Sequence, residues 1–298
     1  MSPITSPSLA RGRHEISIEG TRQVFHVAGT GPVCLVHSGG PGIAWEYLRT
    51  PALEEHLTMV YLEPIGTGSS GRLDDRRDYR IDTYARFVHG VVEHLGVSAV
   101  FLLGHSHGGF VVQRYALDHP DRVAGAILYS TSPVTGEEFW ADAMANISRF
   151  PQRLPQRPAA REIPDAFQRA LAARDDEAYT SSLREILPAY FADYWAHKQD
   201  LEPMRAALNA WIDPMHGEEL VPFDVRDELG SLEIPALIIS GVHDFFGGTR
   251  WARVAHESIT GSRLAVLENS GHMGHLEQPQ EFARAIVEFV RAQGTTIS

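Results

Sequence analysis

Residues 13–28 alternate polar and apolar side chains around Gly20, the period-2 pattern of an antiparallel hairpin with one buried face. Beyond it the rhythm changes. Short apolar runs recur at 33–36, 58–62, 98–103 and 124–129, and helical spacing fills 43–56, 80–95 and 107–118 between them. Strands that alternate with helices predict βαβ units in a mostly parallel sheet, an α/β fold. The alternation stops at residue 132. From there to 230 the spacing is helical and rich in aromatics, punctuated by Pro151, Pro155, Pro158, Pro164, Pro188, Pro203 and Pro214. A strand at 235–240, a helix at 248–258, a strand at 263–268 and a terminal helix at 279–293 then resume the first rhythm. The pattern predicts an α/β core of residues 1–131 and 231–298, with a helical insertion at 132–230. An insertion at this point sits above the carboxyl ends of the strands, where open α/β sheets bind ligands.

Composition narrows the partners. A chain of 298 residues has room for a large core with one inserted subdomain. Its net charge of −12 disfavours nucleic acid and anionic membrane, since no basic stripe offsets it. The single cysteine, Cys34, excludes an intrachain disulfide and suits a reducing compartment. It falls inside the apolar run Val33-Cys34-Leu35-Val36, the setting of a buried, inert thiol. The first seven residues contain no apolar signal-like stretch, and no window reaches the length of a membrane span. The expectation is a soluble, cytoplasmic protein acting on a small molecule or short peptide.

Chemistry enters at Gly104-His105-Ser106-His107-Gly108, which closes the apolar run Val100-Phe101-Leu102-Leu103 and opens the helical stretch Gly109–Ala116. A strand, a tight turn with serine at its apex and a helix together form a nucleophile elbow, which presents a serine hydroxyl at the top of a sheet. Small residues at 104 and 108 are needed because strand and helix crowd the turn.

A serine hydroxyl needs a base, and the base needs an orienting carboxylate. The base is expected late in the chain, after the strand Leu264–Leu267, in the loop Asn269-Ser270-Gly271-His272. His272 directly follows the turn glycine, whereas the competitor His275 leads with Leu276 and Glu277 towards the last helix. Asp244 follows the preceding strand and is expected to orient the base. His105 and His107 adjoin the serine but point away from it on a sharp turn. His107 is expected to contribute its backbone N–H to an oxyanion hole. The second donor is expected from Gly39 in His37-Ser38-Gly39-Gly40-Pro41-Gly42, or from Gly40 if the loop register differs by one. The H-x-H spacing of His105 and His107 also occurs in metal pairs, but two glycines follow and no acidic ligand accompanies them. No metal is expected.

Taken together, the chain resembles an α/β-hydrolase, and within that superfamily the prolyl iminopeptidase branch. The matching pieces are the loop at 37–42, similar to H-G-G-P-G, and Gly66-Thr67-Gly68-Ser69-Ser70, similar to R-G-x-G-x-S. Gly104–Gly109, Asp244 and Gly271-His272 complete the set. The resemblance implies an eight-stranded sheet, a helical cap at 132–230 and no cofactor. Some positions depart from the branch. Ser38 lengthens the first loop towards the form found in carbon–carbon bond hydrolases of ring-cleavage products. Glu63-Pro64-Ile65 replaces the Asp-Gln-Arg of the peptidases, and His107 replaces an aromatic residue after the nucleophile.

The leading reading is a serine hydrolase that cleaves an ester, amide or short peptide. Carbon–carbon bond hydrolysis, or lyase, cyclase or acyltransferase chemistry on the same scaffold, are the enzyme alternatives. A binding protein with an inactive site is disfavoured by the intact triad. Epoxide hydrolases and haloalkane dehalogenases carry aspartate where Ser106 stands. An aminopeptidase must offset desolvation of a substrate ammonium, so it needs buried cap carboxylates aimed at the serine. Glu137, Glu138 and Asp193 are the cap acids considered for that role, and Phe139, Trp140, Tyr190, Phe191, Tyr194 and Trp195 are the aromatics considered for an apolar pocket.

Overall fold

The Glu19-Gly20 turn illustrates how the chain chooses its elements. Both residues have positive φ, 51° and 82°, and they join strands β1 (Gly12–Ile18) and β2 (Thr21–Gly29) in register Ile18 to Thr21. Two consecutive positive φ values give a turn whose twist matches that of the flanking strands. The hairpin read from the alternation is therefore present. The computed structural model describes residues 7–213 and 222–294, so Pro214 and its neighbours in the insertion lie outside the described residues.

Six further strands complete the sheet: β3 (Val33–His37), β4 (Thr58–Glu63), β5 (Val100–His105), β6 (Val123–Tyr129), β7 (Ala236–Gly241) and β8 (Arg263–Leu267). The order is β1-β2-β4-β3-β5-β6-β7-β8. β2 meets both β1 and β4 antiparallel, and the rest of the sheet is parallel.

Ten α-helices accompany the strands among the described residues. α1 (Pro51–Glu54), α2 (Ile81–Leu95) and α3 (His107–Asp118) precede the insertion. α4 (Glu137–Arg153), α5 (Ile163–Ala172), α6 (Asp176–Ile186) and α7 (Lys198–Ala207) lie between β6 and β7, and α8 (Arg250–Ser258), α9 (Gly274–Glu277) and α10 (Pro279–Gly294) follow.

Central strands are buried on both faces, and their alternate residues feed two cores. Val100 and Leu102 of β5 join Val88, Val111 and Ala252 on the side of α2, α3 and α8. Phe101 and Leu103 join Leu53 and Ile286 on the side of α1 and α10. Each such side chain removed from water contributes roughly 1.5–3 kcal/mol before entropy is counted, which is why the stretches 33–36 and 100–103 carry no polar side chain. The insertion has a core of its own, built from Ala143, Ile147 and Phe150 of α4, Ile163 and Ala166 of α5, and Leu183 and Ile186 of α6. Phe245, from the loop after β7, plugs into that core.

One predicted element is corrected. Residues 43–56 do not form a helix. Trp45–Leu48 is a 3-10 turn and α1 a single helical turn, separated by Thr50 at φ −125°, ψ 90°. The cause is Pro51, whose ring disfavours helical backbone at the residue before it.

Candidate active site

Ser106 sits where β5 gives way to α3, with φ 54° and ψ −119°. A non-glycine residue rarely holds that conformation, and the surroundings leave the turn no alternative. A Cβ on Gly104 would stand 2.3 Å from the carbonyl oxygen of Gly108, and one on Gly108 would stand 2.2 Å from that of His37. Thr131 Oγ1, just beyond the end of β6, donates to the Ser106 carbonyl at 2.8 Å and pins the turn.

Asp244 and His272 arrive on the loops after β7 and β8. His272 Nδ1 lies 2.7 Å from Asp244 Oδ2, and both side chains are buried. A carboxylate can only accept, so Nδ1 carries the proton and Nε2 keeps its lone pair, the form a general base requires. Asp244 Oδ1 accepts from the backbone N–H of Phe246 at 3.0 Å, which fixes the carboxylate plane. Ser106 and Asp244 line the same small cavity. Ser106 Oγ makes no hydrogen bond among the described residues.

His275 has a different place. Its Nε2 donates to the Tyr47 carbonyl at 2.8 Å and its Nδ1 accepts from the Tyr129 hydroxyl at 2.9 Å. Both nitrogens are committed, and burial lowers its pKa to about 4, so it is a neutral strut.

His105 belongs to a hydrogen-bond chain whose direction is fixed by one end. The His272 carbonyl only accepts, so His105 Nε2–H donates to it at 3.1 Å. Nδ1 must then accept, which makes the Tyr47 hydroxyl its donor at 2.6 Å. The Tyr47 oxygen in turn accepts the Gly39 N–H at 2.8 Å. Burial pushes the His105 imidazole far below its ordinary pKa, and neighbouring His272 and His275 push the same way. One neutral imidazole thus ties together the loops carrying Gly39, Ser106 and His272.

This arrangement separates the two glycines considered for the oxyanion hole. The Gly39 amide is engaged with Tyr47, whereas that of Gly40 has no partner among the described residues. A Cβ on Gly39 would lie 3.0 Å from Ser106 Cβ, so the turn does reach Ser106. The His107 amide opens α3 and belongs to the first-turn N–H groups that a helix leaves without an internal acceptor. The His107 ring turns away, against Tyr84 and Phe110, and burial lowers its pKa to about 3. His105 and His107 therefore face different neighbours and do not converge on one point. Cys34 is fully buried, its thiol pushed up to about 12 by burial.

The cavity beside Ser106 is walled by Phe110, Phe139, Phe246 and Trp251, with the hydroxyls of Ser130, Thr131 and Ser240. Its free volume is only about 10 Å³, room for one water at most. Phe139 of α4 and Phe246 stack at 5.7 Å and 10° to close it. The cap acids considered above lie elsewhere. Glu138 is exposed and paired with Arg226 and Arg250, Glu137 is exposed, and Asp193 caps the turn at Ala196 and faces Arg157 at 3.8 Å. Of the aromatics, Phe139 lines the cavity and Tyr190 packs edge-on to His272 at 5.4 Å, while Trp140 points outward and Phe191 is core. Tyr194 and Trp195 instead line an open trough of about 870 Å³ between α5, α6 and α7, which shares no residue with the Ser106 cavity.

Residues 31–279 match the family model of the alpha/beta hydrolase fold, and the chain belongs to that family. It is a hydrolase. A proline iminopeptidase of Saccharolobus solfataricus is 26% identical over 294 residues, covering 90% of this chain and 87% of the relative. A 2-hydroxy-6-oxo-2,4-heptadienoate hydrolase of Pseudomonas putida is 26% identical over 282 residues, covering 92% and 94%. Among solved structures, an esterase from Rhodococcus superposes with a TM-score of 0.73 at 20% identity, over 95% of this chain and 99% of the other. No helix among the described residues is long and apolar enough to cross a membrane.

Proposed function

We propose that this hydrolase cleaves small, uncharged esters through an acyl-enzyme on Ser106. His272 Nε2 takes the hydroxyl proton as Ser106 attacks the carbonyl, and Asp244 stabilises the imidazolium that forms. The oxyanion is held by the His107 N–H and by an N–H of the Gly39-Gly40 turn, with the Gly40 amide the free one. His272 then returns the proton to the leaving alcohol, and water repeats the sequence to release the acid. The insertion at 132–230 acts as the cap, supplying Phe139 to the chamber wall.

The observation that carries the substrate class is the chamber lining. Its carboxylate is Asp244, already committed to His272, and apart from Gly248 the rest is aromatic or hydroxylic. A substrate ammonium would lose its hydration with no carboxylate to replace it, which counts against a free amino terminus. A carboxylate substrate such as a dienoate would find no cation in the lining, and Arg250, stacked on the outer face of Trp251 at 4.3 Å, is held by Glu138 and Asp142. The test is a panel of p-nitrophenyl esters beside prolyl-anilide, with mass spectrometry for the acyl-enzyme. Turnover of acetate and butyrate esters with a mass increment on the Ser106 peptide is expected. Faster hydrolysis of prolyl-anilide than of any ester would overturn the substrate class.

A further inference from the structure

Three backbone-directed contacts join the insertion to the two loops of the triad, and none was legible from the motifs. The strap that follows α6 runs through Tyr190 and Ala192. The Tyr190 carbonyl accepts the N–H of His272 at 2.7 Å and that of Met273 at 3.3 Å. Gly271 is a glycine because a Cβ there would lie 2.5 Å from that same carbonyl oxygen. Glu277 grips both sides of this seam. Its Oε1 accepts the Ala192 N–H at 2.7 Å and its Oε2 the Gly271 N–H at 2.6 Å. On the far side, Arg153 at the end of α4 donates to the Ala192 carbonyl at 3.3 Å and to the His243 carbonyl at 3.1 Å. His243 immediately precedes Asp244, and its own N–H donates to Ser270 in the other loop at 2.9 Å.

We propose that Glu277 and Arg153 are positioning residues that clamp the strap Tyr190–Ala192 onto both catalytic loops, so that the seat of the cap sets the geometry of His272 against Asp244. The proposal rests on the assignment of His272 as base and Asp244 as its partner. Two carboxylate oxygens accepting one N–H each, from segments 79 residues apart in sequence, make a bridge that glutamine cannot reproduce, since an amide offers one acceptor and turns two donors towards the second N–H. The bridge also lies one residue from the base and does not touch the acyl chamber. Loosening it moves the imidazole without altering the walls that hold substrate.

The experiment compares wild type, Glu277→Gln, Arg153→Met and Arg153→Lys in fluorophosphonate labelling of Ser106 and in ester turnover. Glu277→Gln is expected to lower the labelling rate and kcat together by about tenfold to hundredfold, the effect of an ångström-scale misplacement, with KM changed by less than about twofold. The pH of half-maximal labelling is expected to move with it, because the base is what has shifted. Arg153→Met is expected to act in the same direction and Arg153→Lys to restore part of the rate, which covers the case of a Glu277 variant that does not fold. Equal labelling rates and pH profiles in folded Glu277→Gln, Arg153→Met and wild type would overturn the clamp. A wild type that is not labelled at Ser106 at all would instead overturn the reading of the site.

Discussion

Ser106 holds its hydroxyl at φ 54°, a backbone conformation that costs a non-glycine residue on the order of 1–3 kcal/mol. Glycine adopts it freely, though its larger unfolded-state entropy returns part of the gain. Ser106→Gly is therefore expected to abolish labelling and turnover while raising stability by about 1 kcal/mol, a shift of a few degrees in a thermal melt. A drop in Tm would show that the turn is not strained. The two late histidines divide in the same way. His272→Ala is expected to cost roughly three to six orders of magnitude in turnover, since triad members act as a unit. His275→Ala leaves the Tyr129 hydroxyl without its acceptor and removes the ring N–H donor to the Tyr47 carbonyl, so its cost is expected in the melt rather than in chemistry.

At the scale of elements, the strap, α9 and the end of α4 meet around a half-buried carboxyl. Burial pushes Glu277 up to about 7, against the pull of the Gly271 and Ala192 N–H groups and of Arg153. A carboxyl whose folded pKa is raised stabilises the fold fully below its unfolded value and loses that contribution as pH rises through the folded value. Wild type is thus expected to lose on the order of 3 kcal/mol relative to Glu277→Gln between pH 5 and 8, read as a Tm difference that grows with pH. A flat difference would place the proton elsewhere. What the sequence showed of these elements follows from their periodicity. The central strands were legible because burial on two faces leaves an unbroken apolar run, and Asp244 and His272 were legible because they follow such runs. The helix expected at 43–56 failed at Pro51, and with it Tyr47 went unnoticed as the link between Gly39 and His105. Glu277 and Arg153 were invisible for a related reason. They act on backbone groups of Ala192, Gly271 and His243, and backbone carries no sequence signal.

Across the whole molecule, the insertion meets the core along several seams, and the two that flank the Ser106 cavity are unlike. Around the strap it is half-buried and stitched through main chain. Beside Phe139 it is held by the exposed pairs of Glu138 and Asp142 with Arg250, each worth about 1 kcal/mol or less in water. The second seam is expected to be the one that yields to substrate, since the stacked Phe139 and Phe246 leave the chamber too small for an acyl group as it stands.

That closure bears on which nucleophile would meet the proposed acyl-enzyme. On the proposed mechanism Phe139 and Phe246 re-close like a door against the acyl group they admitted, and the gap that remains is expected to sort incoming nucleophiles by girth, whatever their abundance outside. Methanol, little wider than water, is expected to intercept the acyl group and give methyl ester, while equimolar butanol gives far less of its own ester than its intrinsic reactivity warrants. Product ratios from one acyl donor in mixed alcohols measure this sieve. Ratios that track solution reactivity alone would mean the door stands open during deacylation.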